Sequence, residues 1–312
     1  MNNNKFLVII HRIFLKESVK KGGADQIIDY LIGKGYRLTI AEHPLVESSG
    51  ESRITRDGQI EERSCLKAPV PINWLREVIF NVTRLKKIGE QYMFILSGDP
   101  LCFVSARILK GLGLSSKIHF HSVDYSDRRF RNIFLNRVYK FLYRLAVKGS
   151  DTITFVSYPM GEVIKGILGE WVFLAKADYL PNSPAFDKIP RINPESKNKY
   201  TLVVNSSIYS LLEIQRFIRQ IEELKNKFPE IVLHIVGDLS EEAKGLIKKS
   251  PAAGNISLHG LISYPENIKL ISEAYIGLAW YDNNRSFEKY ADSLKIREYA
   301  ASGIPIVSNR GI

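Results

Sequence analysis

Two Rossmann-like α/β domains in series are the fold class this sequence predicts. Three observations carry that reading. Short apolar strand-like runs alternate with helical runs of about ten or more residues, which is the pattern of parallel βαβ units. The alternation stops over a proline-rich stretch and then begins again. Finally, 312 residues with 45% hydrophobic content are enough for two buried cores.

In order, KFLVIIH (5–11) reads as a buried strand, GGADQIIDYLIGKGY (22–36) as a helix and RLTIAEH (37–43) as a second strand. The stretch from Val46 to Pro71 lacks clear periodicity and is expected to be a long mobile loop. MFILSGD, LCFVSARILKGLG and KIHFHSVD repeat strand, helix and strand; a basic helix then leads to DTITFVS. GEVIKGIL follows as a helix, and WVFLAKADYLP is expected to be extended. PNSPAFDKIPRINPESKNK (181–199), with four prolines and no apolar period, reads as a connector. After it come YTLVVNS, LLEIQRFIRQIEELKNKF, IVLHIVGD, EEAKGLIKKS, ISLHG, NIKLISEA and IGLAWY, again strand and helix in turn. The expected division is a first domain over 1–185, a linker over 186–199 and a second domain over 200–312.

No apolar run is long enough to span a bilayer, and the five residues Phe6 to Ile10 are too few for a signal-peptide core. The two cysteines, Cys65 and Cys102, allow no disulfide framework and have no metal-ligand spacing in sequence. A cytoplasmic protein with no metal site is expected. The net charge of +11 lies wholly in residues 1–199, since 200–312 hold equal numbers of basic and acidic residues. Arg128 to Lys148 is the densest part, with seven basic and no acidic residues. Phe130, Ile133, Phe134, Val138, Phe141, Leu142 and Leu145 recur there at helical spacing, giving a basic amphipathic helix. Its apolar stripe either packs on the sheet or docks the protein on an anionic membrane. The same charge would attract nucleic acid, but no helix-turn-helix or aromatic-basic recognition pattern accompanies it, so no nucleic-acid partner is expected.

The stretch YADSLKIREYAASGIPIVSN (290–309) joins a polar loop to a helix and that helix to a strand. Asp292 or Ser293 suits an N-cap, Gly303 a C-terminal stop, and Pro305 a strand start. Such a helix aims backbone N–H groups at the crevice beyond the strand ends, a natural phosphate site. Lys295 adds positive charge on the first turn, and Glu298, on the same face, can accept hydrogen bonds from a vicinal diol such as a ribose. The plainer alternative is an exposed i,i+3 ion pair worth roughly 0.2–0.5 kcal/mol.

SLKIREYAASGIPIVSN resembles the signature Pro-x-Lys-x-x-Glu-Tyr-x-Ala-x-Gly-x-Pro-x-Val of the family 4 glycosyltransferases, which have the GT-B fold of two facing Rossmann-like domains. KGGADQIIDYLIGKGYRLTI, DTITFVS, YLPNSPAFD and FPEIVLHIVGD resemble further family motifs, in the expected order over nearly the whole chain. The resemblance implies a retaining, metal-independent, hexosyl-type transferase. Its co-substrate would be a nucleotide-diphosphate sugar of the UDP or GDP type, with no other cofactor. If the basic helix docks the protein on the inner membrane face, the acceptor would be a lipid-linked sugar or a growing glycan in cell-surface polysaccharide synthesis.

By the same resemblance Glu298 would hold the ribose, while Ser293, Leu294 and Lys295 would meet the diphosphate. Asn205, Ser206, Ser207 and Gly237 would line the donor phosphates. Gly22 and Gly23 would let backbone approach the reacting sugar on the acceptor side, and His121 and Asp124 would orient the donor sugar or polarise the acceptor. Front-face attack, with the leaving diphosphate taking the acceptor proton, would need no protein nucleophile.

Three features depart from the family pattern. Tyr290 stands where the two-glutamate motif has its first Glu, with Glu288 nearby but out of register. NSSIYSLLEIQ lacks the usual Arg and Lys, leaving Lys295 and either Arg285 or Lys289 to meet the diphosphate. The chain also ends before the family's last elements, so a C-terminally truncated chain is expected. These departures keep open a non-catalytic sugar-nucleotide-binding or assembly subunit. Another GT-B enzyme, such as a nucleotide-sugar epimerase, would want more acid and base residues than the sequence offers.

Overall fold

A computed structural model of the 312-residue chain describes residues 4–14, 22–45, 51–65, 70–281 and 289–309. The chain forms two compact units. The first comprises Met1–Asn182 with Asn283–Asp292, and the second Ser183–Asp282 with Ser293–Ile312.

The first unit is built on β1 (Lys5–Arg12), whose residues Phe6 to Ile10 are all buried, as a strand covered on both faces requires. α1 (Asp25–Gly33) leads to β2 (Arg37–Pro44), parallel to β1. β3 (Glu51–Arg56) and β4 (Gln59–Cys65) then add as an antiparallel hairpin. The expected long loop is therefore partly wrong: 51–65 is a hairpin, while 46–50 and 66–69 lie outside the described residues. Its turn is Asp57-Gly58, both at positive φ (47° and 86°), the pairing that a two-residue turn needs to match strand twist. α2 (Val70–Ile88), which sequence periodicity did not single out, precedes β5 (Phe94–Ser97).

α3 (Pro100–Gly111) starts sharply. Asp99 Oδ1 accepts from the Leu101 and Cys102 N–H groups, and Pro100 occupies the first helical position. β6 (Ile118–Ser122), α4 (Ile133–Gly149), β7 (Thr152–Phe155) and α5 (Tyr158–Leu168) follow. The expected extended stretch after α5 begins instead as a short helix, α6 (Glu170–Lys176), set off by Gly169 at φ 79°, and only Ala177–Tyr179 forms a strand, β8. The sheet order is β4-β3-β2-β1-β5-β6-β7-β8, parallel from β2 through β8.

α4 does not bury the stripe its spacing suggests. Its inward residues are Tyr139, Tyr143, Ala146 and Val147, while Phe134 is 67% exposed, Phe141 59% exposed, and Ile133 and Leu145 are exposed as well. The tyrosines win the inner face because each hydroxyl finds a partner there. Tyr143 shares a hydrogen bond with Ser122 Oγ (2.8 Å), and Tyr139 donates to the Asp124 carbonyl (3.3 Å). The packed-stripe alternative is thereby excluded for those four apolar residues.

The second unit holds β9 (Thr201–Ile208), α7 (Leu211–Lys225), β10 (Val232–Asp238), α8 (Glu241–Lys249), β11 (Ile256–Gly260), α9 (Tyr264–Glu273), β12 (Ile276–Ala279), α10 (Leu294–Ala301) and β13 (Ile306–Ser308). Its five strands are all parallel, in the order β11-β10-β9-β12-β13. Capping boxes Ser210/Glu213 and Ser263/Glu266 fix the starts of α7 and α9. Ile214, Phe217 and Ile221 turn α7 onto Val204, Leu233 and Ile235. The predicted class, two Rossmann-like α/β domains, is what the chain adopts.

Candidate functional site

Open parallel sheets bind ligands beyond the carboxyl ends of their strands, where the strand order reverses. In the second unit that point lies between β9 and β12, because β10 and β11 extend to one side and β13 to the other. There the carboxyl-terminal half of β9 carries Asn205. Its backbone N–H donates to Tyr299 Oη (3.2 Å), and that hydroxyl donates to Asn205 Oδ1 (2.8 Å) or the Leu278 carbonyl (3.2 Å). With its oxygen committed to Tyr299, the Asn205 amide directs Nδ2 to Glu298 Oε2 at 3.4 Å. Burial pushes the Tyr299 phenol far up, so it remains a neutral hydroxyl that can both give and accept. Glu298 is only 4% exposed. The structure thus joins Asn205 and Glu298 and adds Tyr299, whose polar role the sequence analysis did not anticipate.

α10 starts without a cap from its own N-cap side chain. Ser293 occupies the cap position in extended conformation, yet its side chain does not bond the helix, unlike Ser210, Ser240 and Ser263 on α7, α8 and α9. Leu294 and Lys295 begin the helix, and the Lys295 ammonium lies over the Tyr281 ring, 5.4 Å from its centre. Ser206 and Ser207 continue β9 beyond Asn205. Gly237 stands at φ 137°, and a Cβ there would lie 1.9 Å from the Ser206 carbonyl oxygen. Only glycine lets the end of β10 come so close to β9 at Ser206.

The first unit collects other predicted residues. Gly22 N–H donates to Asp25 Oδ2 (2.6 Å), and Asp25 pairs with Arg12, which also pairs with Glu42. A Cβ on Gly23 would lie 2.4 Å from Asn182 Oδ1 and 2.9 Å from Val123 Cγ1, so the turn runs tightly past both. His121, fully buried, sits beside the same turn. Its Nδ1 bonds Thr154 Oγ1 (2.8 Å), and its Nε2, facing the Gly23 backbone, makes no hydrogen bond of good geometry. Asn182 Oδ1 is likewise buried without a partner. Gly23 and His121 are therefore brought together. Asp124 is exposed, and among the described residues no hydrogen bond joins it to His121.

Burial, reinforced by neighbouring His119, pushes His121 down to about 3, and burial likewise pushes His119 down to about 4. Both rings are neutral in the fold at pH values where the unfolded chain, near 6.5, takes up protons. Their contribution is intact above about pH 6.5 and is lost as pH falls towards 4 and 3, by up to about 1.4 kcal/mol per pH unit per ring. Melting temperature should fall steeply over that range, and His121→Asn should give a shallower acid limb.

Tyr290, in the position of the family's first Glu, belongs to the first unit. Its ring meets Tyr125 edge-on at 4.8 Å, its hydroxyl donates to Asp127 Oδ2 (2.6 Å), and its carbonyl accepts from Ser157 Oγ. Lys289 lies over that ring, 5.1 Å from its centre. Arg285 and Glu288 fall outside the described residues. Tyr290→Phe should lower stability by about 1 kcal/mol in urea unfolding, the worth of one such hydrogen bond.

By sequence, no protein-family model and no curated protein matches the chain. By structure it is similar to sucrose-phosphate synthase from Thermosynechococcus elongatus, with TM-score 0.66 and 12% identity over 97% of this chain and 80% of that one. A TarM variant from S. aureus, in complex with fondaparinux, α-GlcNAc-glycerol and UDP, gives TM-score 0.59 and 10% identity over 97% and 85%. A Listeria monocytogenes protein assigned as a UDP-N-acetylglucosamine 2-epimerase gives 0.64 and 11% over 99% and 80%. At such identities the shared property is the fold, two Rossmann-like domains of the GT-B type.

Proposed function

We propose that the chain is a retaining glycosyltransferase of the family 4 type, moving a hexosyl group from a UDP- or GDP-sugar to a lipid-linked or polysaccharide acceptor. The observation that carries this reading is the buried Glu298–Asn205–Tyr299 set at the strand-order reversal of the second unit, next to the start of α10, which the Ser293 side chain does not cap. Glu298 would take the ribose hydroxyls as paired hydrogen bonds. The N–H groups at Ser293, Leu294 and Lys295, the Lys295 ammonium and the 205–207 stretch would hold the diphosphate, without a divalent ion to neutralise it. The TarM variant was solved with UDP and the Listeria protein is named for UDP-N-acetylglucosamine, which is consistent with a UDP-type donor.

In the transfer, the anomeric carbon–phosphate oxygen bond breaks, the acceptor oxygen bonds the same face, and the departing phosphate oxygen takes the acceptor proton. Neutral His121, buried behind the Gly23 turn, would act on the sugar only through the backbone of that turn. Incubating the protein with each nucleotide sugar and a lipid-linked acceptor, and reading the anomeric configuration of the product by NMR, tests the reaction. Inverted product would overturn the retaining mechanism. A second reading, a sugar-nucleotide-binding subunit without catalysis, is favoured by Tyr290, whose anchoring leaves no acid in the family's first glutamate position. It predicts nucleotide binding with no turnover.

The membrane is the proposed location of the acceptor, met at the inner face of the bilayer. No described helix is long and apolar enough to cross one. The outer face of α4 instead sets Ile133, Phe134, Phe141 and Leu145 among Arg137, Lys140, Arg144 and Lys148, all exposed, a composition suited to lying on anionic lipid. Flotation with phosphatidylglycerol vesicles should recover the protein. Phe134→Ser with Phe141→Ser should weaken recovery at least tenfold, each Phe being worth roughly 1.5–3 kcal/mol when buried, with melting temperature unchanged.

A further inference from the structure

In the first unit the strand order reverses between β1 and β5, and their carboxyl ends carry a cluster that belongs to none of the roles above. His11 is the penultimate residue of β1, Asp99 lies two residues past β5, and Cys102 is on the first turn of α3. His11 Nδ1 is 2.5 Å from Asp99 Oδ2, Cys102 Sγ is 3.0 Å from the same oxygen, and Sγ is 3.6 Å from Nδ1. These three atoms can all serve one ion. We propose that His11, Asp99 and Cys102 form a binding site for a zinc-class divalent cation, with its fourth position open to water.

The supporting groups are arranged as a metal site requires. A ligating imidazole commonly gives its other N–H to a carboxylate; here His11 Nε2 is 3.1 Å from Glu77 Oε2, and Glu77 is buried and held at Oε1 by Asn73 Nδ2 (2.8 Å). That fixes Nδ1 toward Asp99 and Cys102. The Asp99 carboxylate is fixed as well, because Oδ1 takes two backbone N–H groups and leaves Oδ2 facing the thiol and the ring. An ion pair alone would need only His11 and Asp99; the thiol completes a nitrogen–oxygen–sulfur triangle of the kind that suits zinc. Tetrahedral ligands at zinc bond lengths lie about 3.3–3.6 Å apart, so the sulfur–nitrogen edge already fits. The two shorter edges to Oδ2, 2.5 and 3.0 Å, must lengthen to reach that range, which asks the carboxylate to turn about its anchored Oδ1. Cys102 is buried behind the triangle, whereas the Asp99 side chain is 25% exposed, so an ion can enter from solvent.

Charge balance makes a specific demand. Both ring nitrogens of His11 face carboxylates. A zinc-class ion takes the sulfur as thiolate and the ring through a free Nδ1 lone pair, so binding should release protons. The probe is Co²⁺ added to the chelator-treated full chain, with Zn²⁺ as competitor. Expected are one Co²⁺ per chain, a thiolate-to-cobalt charge-transfer band, proton release in a pH-indicator assay, and displacement by Zn²⁺. Cys102→Ala should abolish the band, while Cys65→Ala should keep it. A band that persists in Cys102→Ala, or no stoichiometric binding to the wild type, overturns the proposal. X-ray absorption on the Zn²⁺-loaded wild type needs no variant to fold: one sulfur neighbour at about 2.3 Å with nitrogen and oxygen at about 2.0–2.2 Å supports the site, and a shell without sulfur contradicts it.

Discussion

Gly237→Ala should unfold or distort the second unit more than any other single methyl insertion discussed here. The added Cβ would lie 1.9 Å from a backbone oxygen, the Ser206 carbonyl, and no rotamer change relieves a clash with backbone. The residue would also have to hold φ 137°, where L side chains are strained by roughly 1–3 kcal/mol. A loss of about 3 kcal/mol or more is expected, at the upper end of single substitutions. Any relaxation must move β9 at Ser206, and with it Asn205, so nucleotide affinity should fall at least tenfold even if the unit remains folded. Gly245→Ala is the matched control. Gly245 lies in α8 with nothing within 4 Å of an added Cβ, so the same methyl should stabilise by about 0.5–1 kcal/mol. Thermal unfolding of both variants, with nucleotide titration of each, checks the pair.

Glu298→Gln should separate binding from stability. The amide keeps the size of the side chain but removes the charge and one acceptor oxygen. A ribose diol held by the carboxylate would lose about 1–3 kcal/mol of charged hydrogen bonding, a decrease of roughly 10- to 100-fold in nucleotide affinity. Folding should be unaffected or slightly favoured, because an amide costs less than a carboxylate to bury in a residue only 4% exposed. Calorimetric titration beside a melting curve reads both. An affinity that is unchanged while the melting temperature drops would mean that Glu298 serves the core rather than a ligand.

How much of this was legible in the sequence depended on whether the signal was local. α10 was, because its loop, first turn and small-residue end are contiguous; the approach of Glu298 to Asn205, 93 positions apart, was not. The hairpin at 51–65 was also local but went unread, since Asp57-Gly58 lies among charged residues that blur the alternation. α4 shows a different limit. Helical spacing gave the helix but not its inner face, because tyrosines with hydroxyl partners displaced Phe134 and Phe141 from the core. The cluster of His11, Asp99 and Cys102 could not be seen along the chain at all. Its members are separated by up to 91 positions and meet only because β1 and β5 lie side by side.

The most direct test of the central claim is calorimetric titration of the wild-type chain with UDP, GDP, ADP and the corresponding nucleotide sugars. The account predicts one-site binding of a UDP- or GDP-type nucleotide, weakened by Glu298→Gln and by Gly237→Ala and left unchanged by Gly245→Ala. Binding of none of these nucleotides, or binding indifferent to Glu298, would contradict a donor site built on α10 and β9.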